Sequence, residues 1–458
     1  MAFSAALILY ETRGMTFFND ELVLFMRFGT DFDLETILMP LNGHLIALGS
    51  LIFDTGLSVF GPDPIVFRLI AIVTLWLLAA VLYAYLRRLV QPWLAVAPAV
   101  ILLFLGSSWE VLLWPMSNIN TCLSLATGVG ALLALEDSTR RRDILACVLL
   151  VIGLLSGTYA LAFLVGAAVL VLAGPDRWGR AWVFLVPLTL FAAWWLWAQR
   201  FDQETALELV NVWLLPSFSM QSLAVVLAAV TGLSASLAGE GLNPTIEIDA
   251  GWGRIFAVVA IVGLFFRFLR GSLPVGFWAA LAALITFWGL ITISFGSGRV
   301  PEESRYIVPG VVLVALVTGQ ALKGVRVPRP AAVAVLLVTL VGIATGIRQL
   351  HDGGLFLRDY TERTRATMAG LEAADNPRPD YVPAADPALA GVVPRQAAIE
   401  AGPYLEAVRA NGSPAFSREE LSEQDEHVQE IAEKVRIAAI ADRAGVEPPD
   451  NAPPPLPE

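Results

Sequence analysis

Residues 17–44 read FFNDELVLFMRFGTDFDLETILMPLNGH. Five acids crowd into them, Asp20, Glu21, Asp31, Asp33 and Glu35, and the stretch closes on His44. On both sides the chain is strongly apolar. Ionised groups inside a bilayer are costly unless paired or hydrated, so acids concentrated in one short segment of a hydrophobic chain belong at a water-facing mouth. Read this way, the segment is a surface loop and the rest of the chain is the helical bundle that carries it.

Composition agrees. Of 458 residues, 56% are hydrophobic and 16% charged, against about 25% charged in an average soluble domain. The mean hydropathy is +0.67. Repeated long apolar runs of this kind make an all-α, polytopic transmembrane bundle. Cys122 and Cys147 both lie inside apolar runs and read as small buried hydrophobes. The three histidines, His44, His351 and His427, have no zinc-ligand spacing. A net charge of −11 sets nucleic acid aside as a partner.

The first apolar segment, Met1 to Tyr10, is too short to cross a bilayer, which takes about 20 helical residues. It reads as the remainder of a longer first span, with a half-span or interfacial piece as the alternative. Further spans are expected near 64–86, 92–105, 119–135, 144–156, 159–173, 181–198, 255–268, 275–293, 306–322 and 331–347, about eleven helices with the first. Basic residues mark one set of connections: Arg87-Arg88, Arg140 to Arg142, Arg177 with Arg180, Arg267 with Arg270, and Lys323 with Arg326 and Arg329. By the positive-inside rule these face the cytoplasm. The five alternate consistently if 222–239, rich in small residues, is re-entrant or lies on the surface. A true span there would invert everything after it. The other face then collects 11–63, 107–118, 199–252, 294–305 and the tail, outside a cytoplasmic (inner) membrane.

Three regions are expected: a transmembrane domain 1–347, an acidic helical tail 348–445, and a disordered proline-rich end 446–458. From Arg348 onward, 11 Lys and Arg stand against 20 Asp and Glu, so most of the net charge is there. A small solvated appendage is the reading, with partner binding as the alternative.

Candidate functional residues fall in the acid-rich loops. Asp20 and Glu21 could act as a general base or hold a divalent cation, the one cofactor considered. The same pair suits a helix start, with Asn19 or Asp20 as N-cap. His44 follows the turn signal Asn42-Gly43 and could bond a phosphate or sugar, or an acid of its own loop. Glu110, Trp114 and Asn118 lie in SSWEVLLWPMSNIN, where aromatic faces and amides suit a sugar, although tryptophan also marks the membrane interface. Arg299 and Arg305-Tyr306 sit in GSGRVPEESRY, where an arginine fork could hold a phosphate or pair with Glu302 or Glu303. Arg68, just inside a span, needs an interior partner. Neither GxxxxGK[ST] nor a strand-linked GxGxxG occurs, which disfavours a nucleotide-driven enzyme.

Asn19-Asp20-Glu21, PLNGH ending at His44, WEVLLWP from Trp109 to Pro115, SRY from Ser304 to Tyr306, and NGSPAFSREEL in the tail together resemble bacterial polytopic glycosyltransferases of the GT-C class, relatives of the protein mannosyltransferases and aminoarabinose transferases. The resemblance implies transfer of a sugar from a polyprenyl-phosphate donor to a glycan, lipid or protein acceptor at the external face. It implies Asp20, with Glu21 second, as the base or metal-binding residue of the first external loop. Arg299 or Arg305 would contact donor phosphate, and His44 and Glu110 would line the pocket. The competing readings are a flippase or transporter of lipid-linked glycan, and an assembly protein acting through its tail.

Overall fold

A computed structural model describes residues 1–28, 33–201, 207–233, 250–295, 299–374, 376–394 and 399–444. Asp31, residues 296–298 and the proline-rich end lie outside the described residues. Every regular element among those described is a helix.

The acid-rich stretch folds as small helices on top of long ones. After α1 (Ala2–Glu11) come α2 (Asp20–Arg27), α3 (Leu34–Leu38) and α4 (Ala47–Phe60). The long helices follow: α5 (Pro64–Leu86), α6 (Pro92–Leu103), the one-turn α7 (Trp109–Leu113), α8 (Pro115–Leu135), α9 (Arg140–Ser156), α10 (Ala160–Ala173), α11 (Arg177–Arg180), α12 (Trp182–Ala198), α13 (Leu215–Thr231), α14 (Gly253–Leu269), α15 (Val275–Thr292) and α16 (Ser304–Ala321). Then come α17 (Arg329–Ala373) and the tail helices α18 (Ala401–Asn411), α19 (Arg418–Ser422) and α20 (Glu426–Ala444). Their starts are written locally. Asp63 caps α5 by accepting from the Ile65 amide at 2.9 Å, and Pro64 fits the first turn, where no amide partner is needed. Pro92 and Pro115 open α6 and α8 in the same way.

Among the described residues, seven helical segments are long and apolar enough to cross a membrane: Pro64–Leu86, Pro115–Leu135, Arg177–Ala198, Leu209–Thr231, Val275–Thr292, Ser304–Ala321 and Arg329–Ala373. An eighth arises if the bent pair of Pro92–Leu103 with Gly106–Leu113 counts as one. The sequence count of about eleven included shorter pieces, among them α9 and α14 at 17 residues and α10 at 14.

All five basic turns lie on one face of the bundle. Arg88 bridges to Glu136 at 3.1 Å, and Arg180 holds Asp143 at 2.7 Å. Arg267 donates to the Ala321 carbonyl at 3.0 Å, and the Gly324 amide reaches Leu89 O at 3.4 Å. Each contact ties one turn to the next. The acidic stretch, the α9–α10 turn and the start of α16 gather at the other end.

α13 is the segment whose crossing the sequence left open. With the turn before it, Leu209–Thr231, it passes the length test. Gln221 donates to Glu302 at 2.6 Å, Val226 packs on Gly310 and Val230 on Gly342. These partners lie just before and within the first half of α16 and in the apolar half of α17, so α13 packs against both helices. Residues 234–249 beyond it are outside the described part.

The tail departs from expectation. The anticipated boundary at 347–348 falls inside α17, one continuous helix of 45 residues. Its middle is seated against the α6–α7 corner, where Gly106 and Gly346 let two backbones touch. A Cβ on Gly346 would stand 1.8 Å from Phe104 O. The outer half of α17 packs with α20, and α18 packs on α2. Tyr404 is fully buried with its ring 6.1 Å from Phe25. Phe25 in turn meets Phe17 at 5.7 Å, and Phe17 meets Phe53 at 5.3 Å. Asn411 donates to Phe28 O at 3.2 Å, and Thr16 donates to Pro414 O at 3.3 Å. The tail is thus the outer wall of the acidic segment.

Candidate functional site

The Asn42-Gly43 turn builds the first part of the site. Both residues take positive φ, 50° and 76°, the pairing a tight two-residue turn requires and Asn-Gly supplies. The turn is closed by reciprocal amide bonds between Leu41 and His44, at 3.1 and 2.8 Å. Arg27 fastens it to α2 by donating to Met39 O and Pro40 O, both at 3.3 Å. Asn42 then donates its amide to Asp20 Oδ1 at 3.0 Å, and His44 points the other way.

His44 sits between two partners. Its Nδ1 is 2.9 Å from Thr158 Oγ1 and its Nε2 is 3.5 Å from an Arg299 nitrogen. Arginine only donates, so Nε2 carries the lone pair, and the Nδ1 proton goes to Thr158. Burial of the imidazole, with the positive charges of Arg299 and Arg305 nearby, pushes its pKa down to about 3. His44 is a neutral orienting group here, not a cation.

Asp20, His44, Trp114, Arg299, Arg305 and Tyr306 all line one cavity of about 530 Å³. Its second wall is apolar, with Phe191 and Trp195 of α12 and Phe287, Leu290 and Ile291 of α15. Arg305 is ion-paired with Glu303. The start of α16 is pinned by α7: Ser108 donates to Ser304 O at 2.6 Å, and the Glu110 amide donates to Ser304 Oγ at 3.2 Å. Trp114 Nε1 and Asn120 Oδ1 are buried without a partner among the described residues. Both residues line the cavity, but these two atoms are buried behind its surface, Asn120 Oδ1 against Gly49 of α4.

Four residues proposed from sequence stand outside that wall. Glu21 points inward, 2% exposed, and accepts the Phe18 and Met116 amides at 3.0 and 3.1 Å. A helical residue next to Asp20 must point about 100° away from it, so the two acids could not share the cavity. Burial raises the Glu21 carboxyl to about 7, against the lowering pull of those two amides. Arg68 is spent on Met15 O and the charge of Glu21. Asn118 accepts from Thr74 at 2.9 Å inside the bundle. Glu110 takes the Arg305 backbone amide and so supports the wall from behind.

Sequence reading missed Thr158 and Tyr159, which form the α9–α10 turn, and Gln199 at the end of α12, all in the lining. Gly157, between two apolar runs, was the available sign of that turn. Asn42 was seen only as a turn former; its side chain bonds Asp20 because the Asn-Gly turn folds back over α2.

A divalent cation fits poorly. Among the described residues no cluster of three or more His, Cys, Asp or Glu could hold a metal ion, and of the acidic pair only Asp20 faces the cavity.

Comparison of the chain with family models, with curated proteins and with solved structures finds no match.

Proposed function

We propose that this protein is a membrane glycosyltransferase of the GT-C type, moving a sugar from a polyprenyl-phosphate donor to an acceptor hydroxyl. The observation that carries the reading is one cavity with a carboxylate, Asp20, on one side and two guanidinium groups, Arg299 and Arg305, on another. The cavity lies at the end of the bundle opposite the basic turns. With those turns in the cytoplasm, it opens at the external face of the cytoplasmic membrane.

The chemistry follows from charge placement. The acceptor oxygen attacks the anomeric carbon and passes its proton to Asp20. The bond from that carbon to the phosphate oxygen breaks, and its electron pair leaves on the polyprenyl phosphate. Arg299 and Arg305 offset that growing negative charge, and prepositioned charge of this kind supplies most of the barrier lowering. Asn42 orients the base. The neutral His44 steers Arg299 without competing with it for phosphate. The apolar α12 and α15 wall suits a prenyl chain.

Asp20→Asn separates this reading from a transporter. It should reduce polyprenyl-phosphate-sugar consumption by about 100- to 10,000-fold while leaving the fold intact. Undiminished turnover in that variant would remove the base and with it the mechanism.

A further inference from the structure

Asn19 precedes Asp20 with φ 39° and ψ −106°, a backbone state that an L-residue with a side chain disfavours and glycine accepts. Strain of this kind persists only where surroundings enforce it, and it clusters at functional sites. As the N-cap of α2, Asn19 makes no side-chain cap hydrogen bond. Its Oδ1 instead accepts from the Tyr360 hydroxyl at 3.2 Å. Tyr360 is buried in the outer half of α17. Its ring meets Phe18 edge-on at 4.7 Å, and Phe18 meets the cavity residue Trp114 at 5.0 Å. The residues on both sides of the strained peptide are therefore tied to α17, and the next residue along is Asp20.

We propose that Tyr360 is a positioning residue, holding Asn19 in its strained state and so aiming Asp20 into the cavity. This rests on the glycosyltransferase reading for its effect on turnover, but not for its effect on local structure. The Leu22 and Val23 amides both bond Asn19 O, at 2.9 and 3.2 Å, so their exchange with solvent reports the geometry of Asn19 directly. If the hydroxyl is lost, one hold on the Asn19 side chain goes, the first turn of α2 loosens, and Asp20 shifts from its place.

The test uses the full-length protein in nanodiscs, with Tyr360→Phe, Asn19→Gly and the double variant. Two readouts are taken: hydrogen exchange of peptides covering 16–28, and consumption of a polyprenyl-phosphate hexose by membranes carrying each variant. Tyr360→Phe should speed exchange at Leu22 and Val23 by about tenfold and leave α8 protected. It should also lower turnover on the order of 10- to 100-fold at unchanged donor KM. In the Asn19→Gly background, where no strain waits to relax, the same change should cost less than about twofold, the mark of a coupled pair. Unchanged exchange in Tyr360→Phe, or equal losses in both backgrounds, would overturn the proposal. Wild-type membranes that consume no such donor would instead overturn the glycosyltransferase reading, and exchange alone would then judge Tyr360.

Discussion

Glu21 and His44 are near neighbours of the cavity with opposite titration behaviour. Glu21 has a folded pKa of about 7, above its ordinary 4.5. Its neutral form suits the fold, so its contribution is full below 4.5 and is lost as pH rises toward 7. His44 has a folded pKa of about 3, below its ordinary 6.5. Its contribution is full above 6.5 and is lost as pH falls toward 3. Between pH 4.5 and 6.5 the two slopes oppose, and each variant should uncover the other. Thermal melts of His44→Gln should show stability falling steadily from pH 4.5 to 7, and those of Glu21→Gln stability rising from 3 to 6.5. Glu21→Gln also turns one acceptor into a donor facing an amide, at a cost of about 1–3 kcal/mol. The sequence showed two adjacent acids but not which one faced the cavity, because that depends on how α2 is rotated against α8 and α18.

Elements are held here by close approaches that a sequence does not advertise. Gly346 and Gly106 allow α17 to touch the α6–α7 corner. Gly346→Ala should force the helices apart and lower stability by about 1–3 kcal/mol, read as a drop in melting temperature in detergent. α2 depends on the tail in the same way. Phe25, fully buried, is covered by Phe17 and by Tyr404 of α18. Phe25→Ala should cost about 3–5 kcal/mol. Deleting everything after residue 374 should abolish sugar transfer although no cavity residue is removed, because the face of α2 that meets α18 is laid bare. Retained turnover in that deletion would mean that the tail is the solvated appendage its composition suggested. Acidity and proline content described its surface well; they could not show that Tyr404, Asn411 and Pro414 dock on the N-terminal segment.

The molecule has two ends of opposite character, one of linked basic turns and one holding the cavity. Cys122 and Cys147 are both buried, which leaves thiol labelling clean for testing their sidedness. In intact cells, Glu35→Cys should react with a membrane-impermeant maleimide, and Arg141→Cys only after lysis. Labelling of both from outside would remove the assigned topology.

The chain by itself determined the helices, their apolar faces, the basic turns and the loops rich in acid, because hydropathy, capping residues and the Asn42-Gly43 turn act over a few residues. It also pointed to Asp20, His44, Arg299 and Arg305, polar groups with no place inside a bilayer. Only the tertiary structure decided that these four share one cavity, that Glu21, Arg68, Glu110 and Asn118 are engaged elsewhere, and that α17 reaches back to hold Asn19. Those facts depend on contacts between residues hundreds of positions apart, set by how helices rotate and cross, and no local pattern encodes that.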